Sequence, residues 1–308
     1  MPSLRPTIRY GKVQVSTYRT YARPLAGVSP IPESSFRGRD NILLAADVDV
    51  EVLGENFLPA YTRGDNSNVV ATDTMKNFVH RSTLDYDGGT HEGLITFLGE
   101  RFLATWPHME RLRLRARELP FEAARLPGGT SPLLFSRSHG DHGLAELELV
   151  RTDGQPRIVD HRCGRLGLQL IKISGSSFAR FERDAYTTLP EVTDRPLFVY
   201  LDVYWRYRDP AHGFATAAQL GHYVASEQVR DLVELVFHEF VSLSIQHLVH
   251  EMGQRLLARF QQLASVSFEA QNRLWDTAAL AATDERVKVY TDPRPPYGSI
   301  GLTLERVD

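Results

Sequence analysis

The stretch that decides the fold is ATDTMKNFV at residues 71–79, because it recurs as ASEQVRDLV at residues 225–233. The two stretches begin 154 residues apart, and most positions pair chemically: threonine with serine, aspartate with glutamate, lysine with arginine. The same offset relates further pairs: Gly99 and Gly253, Arg101 and Arg255, Leu103 and Leu257, Leu114 and Phe268. A fixed offset over so many positions indicates an internal duplication of the chain.

Each half predicts the element order strand, strand, helix, helix, strand, strand. Residues 197–205, LFVYLDVYW, are rich in the β-branched and aromatic side chains that strands prefer. Apolar residues then recur at helical spacing: Val229, Leu232, Val233, Val236 and Phe237. This order predicts an α+β fold of two units, residues 1–153 and 154–308, each with an antiparallel sheet and helices on one face.

The first helix of each half is predicted to begin at a hydroxyl residue. Thr72 and Ser226 carry side chains that commonly cap helix N-termini. Asp73 and Glu227 follow, where the helix dipole stabilises a negative charge. Thr72 is therefore expected to be an N-cap.

Charge and hydropathy exclude several classes of protein. The formal net charge is -3 and no long basic run occurs, which argues against nucleic acid as a partner. Four arginines alternate with apolar residues and predict the solvent face of a strand: Arg111, Arg113, Arg115 and Arg117. No stretch approaches the roughly 18 apolar residues that span a bilayer. With no secretory-type segment near the start, the cytoplasm is the expected compartment.

The sequence predicts no metal centre. Cys163 is the only cysteine, so neither an intrachain disulfide nor a zinc site built on several cysteines can form. His139 and His142 lie in a polar loop, where two close ligands seldom suffice. His247 and His250 share a helix face but do not form the His-Glu-x-x-His pattern.

Four motifs carry a family resemblance. Residues 61–77, YTRGDNSNVVATDTMKN, resemble the signature of the urate oxidase family, and Tyr10-Gly11-Lys12 resembles its opening motif. Residues 177–190, SFARFERDAYTTLP, together with Asp194-Arg195 resemble the third motif, and residues 244–247, SIQH, the fourth. The motifs occur in family order and extend over nearly the whole chain.

The resemblance implies a fold, an assembly and a reaction. The fold is a tandem of ββααββ tunnelling-fold (T-fold) units, assembled into a homotetramer around a tunnel with active sites between subunits. The reaction oxidises urate with O2 and water to 5-hydroxyisourate and H2O2, without a metal or an organic cofactor. The expected partners are therefore urate, O2 and further copies of the chain.

The resemblance also implies which residues bind urate, and their chemistry suits that ligand. Arg195 can fork onto two adjacent acceptors of a planar anion, and Gln246 offers both a donor and an acceptor. Phe178 can stack on the ring and Leu189 can close the apolar wall. Backbone groups of Asp73 and Ile245, and the side chain of Thr72, complete the family's set of contacts, with Asn272 holding water or O2 above the ring.

Lys12 and Thr72 are implied as the proton relay that withdraws a proton from urate. The family completes this relay with a histidine in an Asn-Lys-His stretch, which corresponds here to Asn272-Arg273-Leu274. Leu274 cannot move protons. The relay therefore runs through Lys12, Thr72 and water, or another residue substitutes, or turnover is weakened; the sequence leaves these alternatives open.

Each of these residues alone has an ordinary structural explanation. Arg195 could form a surface ion pair with Asp194. Phe178 could belong to the core, Lys12 could be a solvated strand residue, and Thr72 could be only a helix cap. Their joint occurrence in family order favours the functional interpretation.

Two other functions remain open at this point. The first is another purine- or pterin-handling enzyme of the same fold, which typically anchors its heterocycle with a glutamate where this chain has Gln246. The second is a purine-binding homologue with impaired turnover, which Leu274 keeps open.

Overall fold

The computed structural model describes residues 4–137, 140–215 and 220–307, which form two compact units. Unit 1 contains the described residues within 1–30, 36–164 and 206–224. Unit 2 contains those within 31–35, 165–205 and 225–308. None of the described helices is long and apolar enough to cross a membrane.

Unit 1 holds most of the first repeat. Its elements are β1 Arg9–Thr20, β2 Leu25–Ala26, β3 Gly38–Arg39, β4 Leu43–Leu53, α1 Leu58–Arg63, α2 Thr72–Asp85, α3 His91–Thr105, β5 Arg111–Glu118, β6 Phe121–Leu126, β7 Gly129–Arg137 and β8 His142–Thr152. Strands β1, β4, β5 and β8 pair in that order and antiparallel.

Unit 2 holds most of the second repeat. Strands β9 Gln155–Lys172 and β10 Leu197–Tyr207 contribute residues to both units, and α4 Ala211–Phe214 belongs to unit 1. The remaining elements are α5 Ser226–Glu239, α6 Ile245–Arg259, β11 Leu263–Asn272, β12 Thr277–Leu280, β13 Lys288–Tyr290 and β14 Gly298–Glu305. The sheet order here is β9-β10-β11-β14, and β11 pairs antiparallel with β14.

The helix bounds repeat at the offset seen in the sequence. Helices α2 and α5 begin and end 154 residues apart, and so do α3 and α6. Together with the antiparallel strands, this confirms the predicted α+β class and the order ββααββ in each repeat. The boundary at residues 153 and 154 remains a proposal, since the compact units are assembled from discontinuous segments.

The core of unit 1 lies between its sheet and its helices. Val48, Val50 and Val52 of β4 are at most 1% exposed, and Ile95 and Leu98 of α3 are fully buried against this layer. Burial of apolar area on this scale is the main stabilising contribution to such a layer.

The opposite face of the unit 1 sheet carries charge in columns. The arginines of β5 lie on this face, as predicted, with side chains between 43% and 51% exposed. They pair with acids on both neighbouring strands: Arg117 with Asp47, Arg115 with Glu146, and Arg113 with Glu148. We call this face the charge ladder: the arginines of β5 form ion pairs with the acidic side chains of β4 and β8 on either side.

The predicted N-caps of α2 and α5 are wrong by one residue. Ala71 and Ala225 take the cap positions with extended backbone, so Thr72 and Ser226 become the first helical residues. Asp73 and Glu227 lie in the first turn, as predicted. The consequence is that the hydroxyl of Thr72 does not cap its helix.

Candidate active site

The predicted relay residues lie in unit 1, on β1 and at the start of α2. Lys12 is half-buried and pairs with Val50 of β4, directly before an irregularity in the β1 register. At this bulge Gln14 has φ 56° and donates its backbone N–H to Asp49 Oδ1 at 2.7 Å. Thr72 is also half-buried.

The carboxylate of Asp73, in the first turn of α2, is surrounded by positive charge. Asp73 accepts hydrogen bonds from Lys76 Nζ at 2.5 Å and from Asn77 Nδ2 at 3.0 Å. The hydrogen bond and charge of Lys76 hold the pKa of Asp73 below its ordinary value, and the charge of Lys12 lowers it further. The charge of Lys12 is the smallest of these contributions to the pKa of Asp73, and the relay from Lys12 to Thr72 remains a proposal.

The predicted urate-binding residues all lie in unit 2, except Thr72 and Asp73. Phe178 pairs with Val192 through two backbone hydrogen bonds of 2.8 and 2.9 Å. The backbone N–H of Arg195 donates to Ser176 O at 2.8 Å. This pairing sets the Arg195 guanidinium carbon 5.5 Å from the centre of the Phe178 ring.

Arg195 is not the surface ion-pair partner of Asp194. The carboxylate of Asp194 instead accepts from Ser174 Oγ at 2.9 Å and from Gly175 N at 2.7 Å. Arg195 Nε is buried and has no hydrogen-bond acceptor among the described residues. Burial lowers the pKa of Arg195 from its ordinary value. A partly desolvated cation whose Nε has no acceptor in the described part of the chain favours an anionic ligand.

Two serines join Arg195 to the start of α6. Ser176, which accepts from Arg195 N, forms a parallel bridge with Ser242, and their hydroxyls lie 3.2 Å apart. Ser177 N also donates to Ser242 O at 2.8 Å. Three residues after Ser242, helix α6 begins with buried Ile245 and exposed Gln246. The structure thus brings the Arg195 and Gln246 segments together, through serines that no sequence pattern had indicated.

Asn272 ends β11 near the same region of unit 2. It pairs with Gly298, and Arg273 N donates to Phe198 O, three residues after Arg195. Asn272 Oδ1 is buried without a hydrogen-bond partner among the described residues. A second polar group of unit 2 is therefore left for a ligand or water to satisfy.

The last two sequence-predicted positions of unit 2 are more exposed. Leu189 lies in the loop between Phe178 and Arg195 and is 39% exposed, and its carbonyl accepts from Arg183. Leu274, where the family has its histidine, is 48% exposed. The prediction that Leu189 closes an apolar wall remains a proposal.

The segments that carry Lys12 and Thr72 have counterparts in unit 2. A positive φ recurs at Gly167, where it is 76°, and Gly167 donates its N–H to Asp202 Oδ1 at 2.7 Å. Gln14 and Asp49 precede Gly167 and Asp202 by 153 residues each, so Arg165 stands at the position of Lys12.

In unit 2 the guanidinium of Arg165 forms a direct hydrogen bond with the hydroxyl of Ser226. Arg165 Nη1 donates to Ser226 Oγ at 3.5 Å, and Ser226 Oγ donates to Glu227 Oε2 at 3.4 Å. All three side chains are at most 8% exposed. In unit 2 the cation of this strand therefore lies beside the hydroxyl at the helix start, and the corresponding pairing of Lys12 with Thr72 in unit 1 remains a proposal.

Metal-ligating side chains do not converge in the described residues: no three of His, Cys, Asp or Glu cluster there. His139 lies outside the described residues. His247 packs edge-on against Phe240, with ring centres 4.7 Å apart.

Comparison of the sequence with known proteins relates the chain to one family. The model of the uricase family matches residues 50–153 and 161–301. The chain is 46% identical to the uric acid degradation bifunctional protein of Bacillus subtilis, over 99% of this chain and 62% of that protein. It is 44% identical to the uricase of Haloferax volcanii, over 98% of this chain and 99% of that protein.

Solved structures agree with the sequence relatives. Urate oxidase from Bacillus sp. TB-90 superposes with a TM-score of 0.93 at 45% identity, covering 97% of this chain and 100% of that chain. The chain spans about three fifths of the length of the bifunctional proteins from Bacillus subtilis and Bacillus sp. TB-90.

Proposed function

Because the chain belongs to the uricase family, we propose that it is a urate oxidase, which converts urate, O2 and water to 5-hydroxyisourate and H2O2. The observation that carries the proposal is Arg195. Its guanidinium is partly desolvated, has no acceptor for Nε among the described residues, and lies over the face of Phe178. A planar anion that stacks on Phe178 would satisfy it.

The other side chains of unit 2 would complete recognition. Gln246 can donate to a ring carbonyl and accept from a neighbouring N–H, which matches an edge of urate. Ile245 would contribute its backbone N–H at the start of α6, where orphan donors point outward. The unpartnered Asn272 Oδ1 would accept from a water on the face of the ring.

The proposed oxidation of urate begins with the removal of a proton by a base. Removing a proton from the urate monoanion gives an electron-rich dianion, which can pass two electrons to O2. Lys12 and Thr72 would carry that proton, and it would return to reduced oxygen as H2O2 forms. Water then adds to the oxidised purine and releases the second proton that H2O2 requires, which gives the 5-hydroxyisourate monoanion, so the atoms, charges and electrons balance without an organic cofactor or metal.

We further propose that the complete site contains residues from two chains. Lys12, Thr72 and Asp73 lie in unit 1, whereas Arg195 and Gln246 lie in unit 2. In a homotetramer the unit 1 residues of one copy would meet the unit 2 residues of another.

One assay tests the activity. Purified protein is incubated with urate in air, in the presence of a chelator, and urate absorbance and H2O2 are followed together. Loss of urate with an equal yield of H2O2 is expected. No loss of urate under these conditions contradicts the proposal, and metal-dependent activity on another heterocycle would favour a different enzyme of the same fold.

A purine-binding protein with impaired turnover is the second candidate, and Leu274 is the observation that favours it. Leu274 is half-exposed and cannot relay protons. Tight binding of urate by calorimetry without H2O2 production would establish this alternative.

A further inference from the structure

The geometry points to Tyr10 as a positioning residue for the proposed relay, because its phenol fixes the backbone beside Thr72 while its own backbone lies beside Lys12. This inference rests on the proposed function. Tyr10 lies two residues before Lys12 on β1, and Val70 lies two residues before Thr72. A bond between Tyr10 and Val70 therefore joins the two segments that carry the relay.

The phenol of Tyr10 is held on two sides. Its oxygen accepts a hydrogen bond from Val70 N at 2.9 Å. Its ring packs edge-on against Phe57, with ring centres 4.8 Å apart at 74°. Val70 is 6% exposed and Phe57 is 1% exposed, so both partners belong to the packed interior of unit 1. The hydroxyl is consequently a fixed point rather than a mobile surface group.

Strand β1 is equally well fixed at this place. A Cβ on Gly11 would lie 2.1 Å from Val50 O, so only glycine lets β1 approach β4 this closely. Since side chains alternate along a strand, Tyr10 and Lys12 point to the same side of the sheet. The three residues of the Tyr10-Gly11-Lys12 motif therefore have separate roles: Tyr10 holds Val70, Gly11 allows the approach to β4, and Lys12 carries the relay cation.

The loop before α2 needs such an anchor at its end. Asn68 Nδ2 donates to Asn56 O at 3.1 Å and holds the middle of the loop. The hydrogen bond from Val70 N to the Tyr10 hydroxyl holds the end of the loop, two residues before Thr72. Proton transfer requires donor and acceptor atoms about 2.6–3.2 Å apart, and a displacement of about 1 Å can cost on the order of a hundredfold in rate.

The test compares Tyr10→Phe with Tyr61→Phe. Tyr61 is a matched control, because it belongs to the same aromatic group, 6.4 Å from Phe57, but its hydroxyl donates to Arg9 O at 2.7 Å. In Tyr10→Phe we expect kcat for urate to fall about tenfold or more with KM changed less than about twofold. Tyr61→Phe is expected to keep both constants.

Amide exchange gives a readout that does not depend on activity. In the wild-type protein the Val70 amide should be protected, and in Tyr10→Phe it should exchange faster while Tyr61→Phe leaves it unchanged. A Val70 amide that is unprotected in the wild type overturns the inference even if Tyr10→Phe does not fold.

The kinetic outcomes separate this inference from the proposed function. A wild-type protein that does not consume urate overturns the proposed function itself. An active wild type with equal kcat in Tyr10→Phe and Tyr61→Phe overturns the role of Tyr10 alone. A rise in KM without a fall in kcat also overturns it, because the phenol would then serve binding rather than the relay.

Discussion

At the scale of single residues, Arg195 differs from the exposed arginines of the same loop in the burial of its guanidinium. Arg195 Nε is buried without an acceptor among the described residues, whereas Arg183 nearby is exposed and donates a hydrogen bond to Leu189 O. Arg183 is therefore a matched control, within the same loop, for the proposed binding residue Arg195.

Arg195→Lys is expected to raise the Kd for urate about tenfold or more. Lysine keeps the charge but loses the planar fork, and a charge-assisted hydrogen bond contributes about 1.5–3 kcal/mol. Calorimetry or fluorescence titration measures the change. Arg183→Lys should leave the affinity unaltered; equal affinity in both variants would mean that the pocket lies elsewhere.

Thr72 and Ser226 should respond to substitution in opposite ways. Because Ala71 is the cap, Thr72→Val should keep the melting temperature within about 2 °C while kcat falls on the order of a hundredfold. Ser226→Ala removes a buried acceptor of Arg165, which should lower stability by about 1–3 kcal/mol and leave kcat unchanged. Thermal unfolding and steady-state kinetics of the two variants test these expectations. A loss of stability in Thr72→Val would indicate that the hydroxyl of Thr72 has a structural role.

At the scale of elements, the charge ladder on β4, β5 and β8 makes stability depend on pH. Burial tends to raise the pKa of Asp47, but hydrogen bonds from Ser16 and Arg117 and the charge of Arg117 outweigh it and hold the pKa below its ordinary value of 3.8. A lowered folded-state pKa stabilises the protein above that ordinary value, and the contribution is lost as pH falls through the folded-state pKa.

Asp47→Asn should therefore lower the melting temperature at pH 7 by a few degrees, and the difference from wild type should shrink below about pH 4. Asp87→Asn is the control, because Asp87 is 87% exposed and its ion pair with Arg23 spans 3.6 Å. A difference for Asp47→Asn that is constant from about pH 3 to pH 7 would show that its charge does not contribute.

Elements were predictable from sequence wherever the repeat presents the same pattern twice. The offset of 154 residues seen in the sequence also relates the bounds of α5 and α6 to those of α2 and α3, because apolar periodicity fixes a helix locally. The N-cap at Ala71 was missed, since threonine suits the cap and the first turn nearly alike. The Ser176–Ser242 bridge was also missed, because contacts between segments 66 residues apart leave no local pattern.

At the scale of the whole molecule, division of the site between chains can be tested by complementation. Thr72→Val and Arg195→Ala should each be nearly inactive alone. Co-expressed, they should regain about a quarter of wild-type activity, because random mixing builds some sites from the intact half of each variant. Failure to regain activity, with mixed assemblies shown by mass spectrometry, would place the site within one chain.

The buried cluster of Arg165, Ser226 and Glu227 bears on the number of ligand sites that the duplicated chain can form. One copy of the motif keeps its hydroxyl half-accessible at Thr72, while the other buries its hydroxyl beneath a guanidinium and a carboxylate. We therefore expect the duplicated fold to form one reaction centre per chain, because the hydroxyl of Ser226 is buried and contributes to the interior of unit 2. At saturation, each chain should hold a single urate molecule, not two.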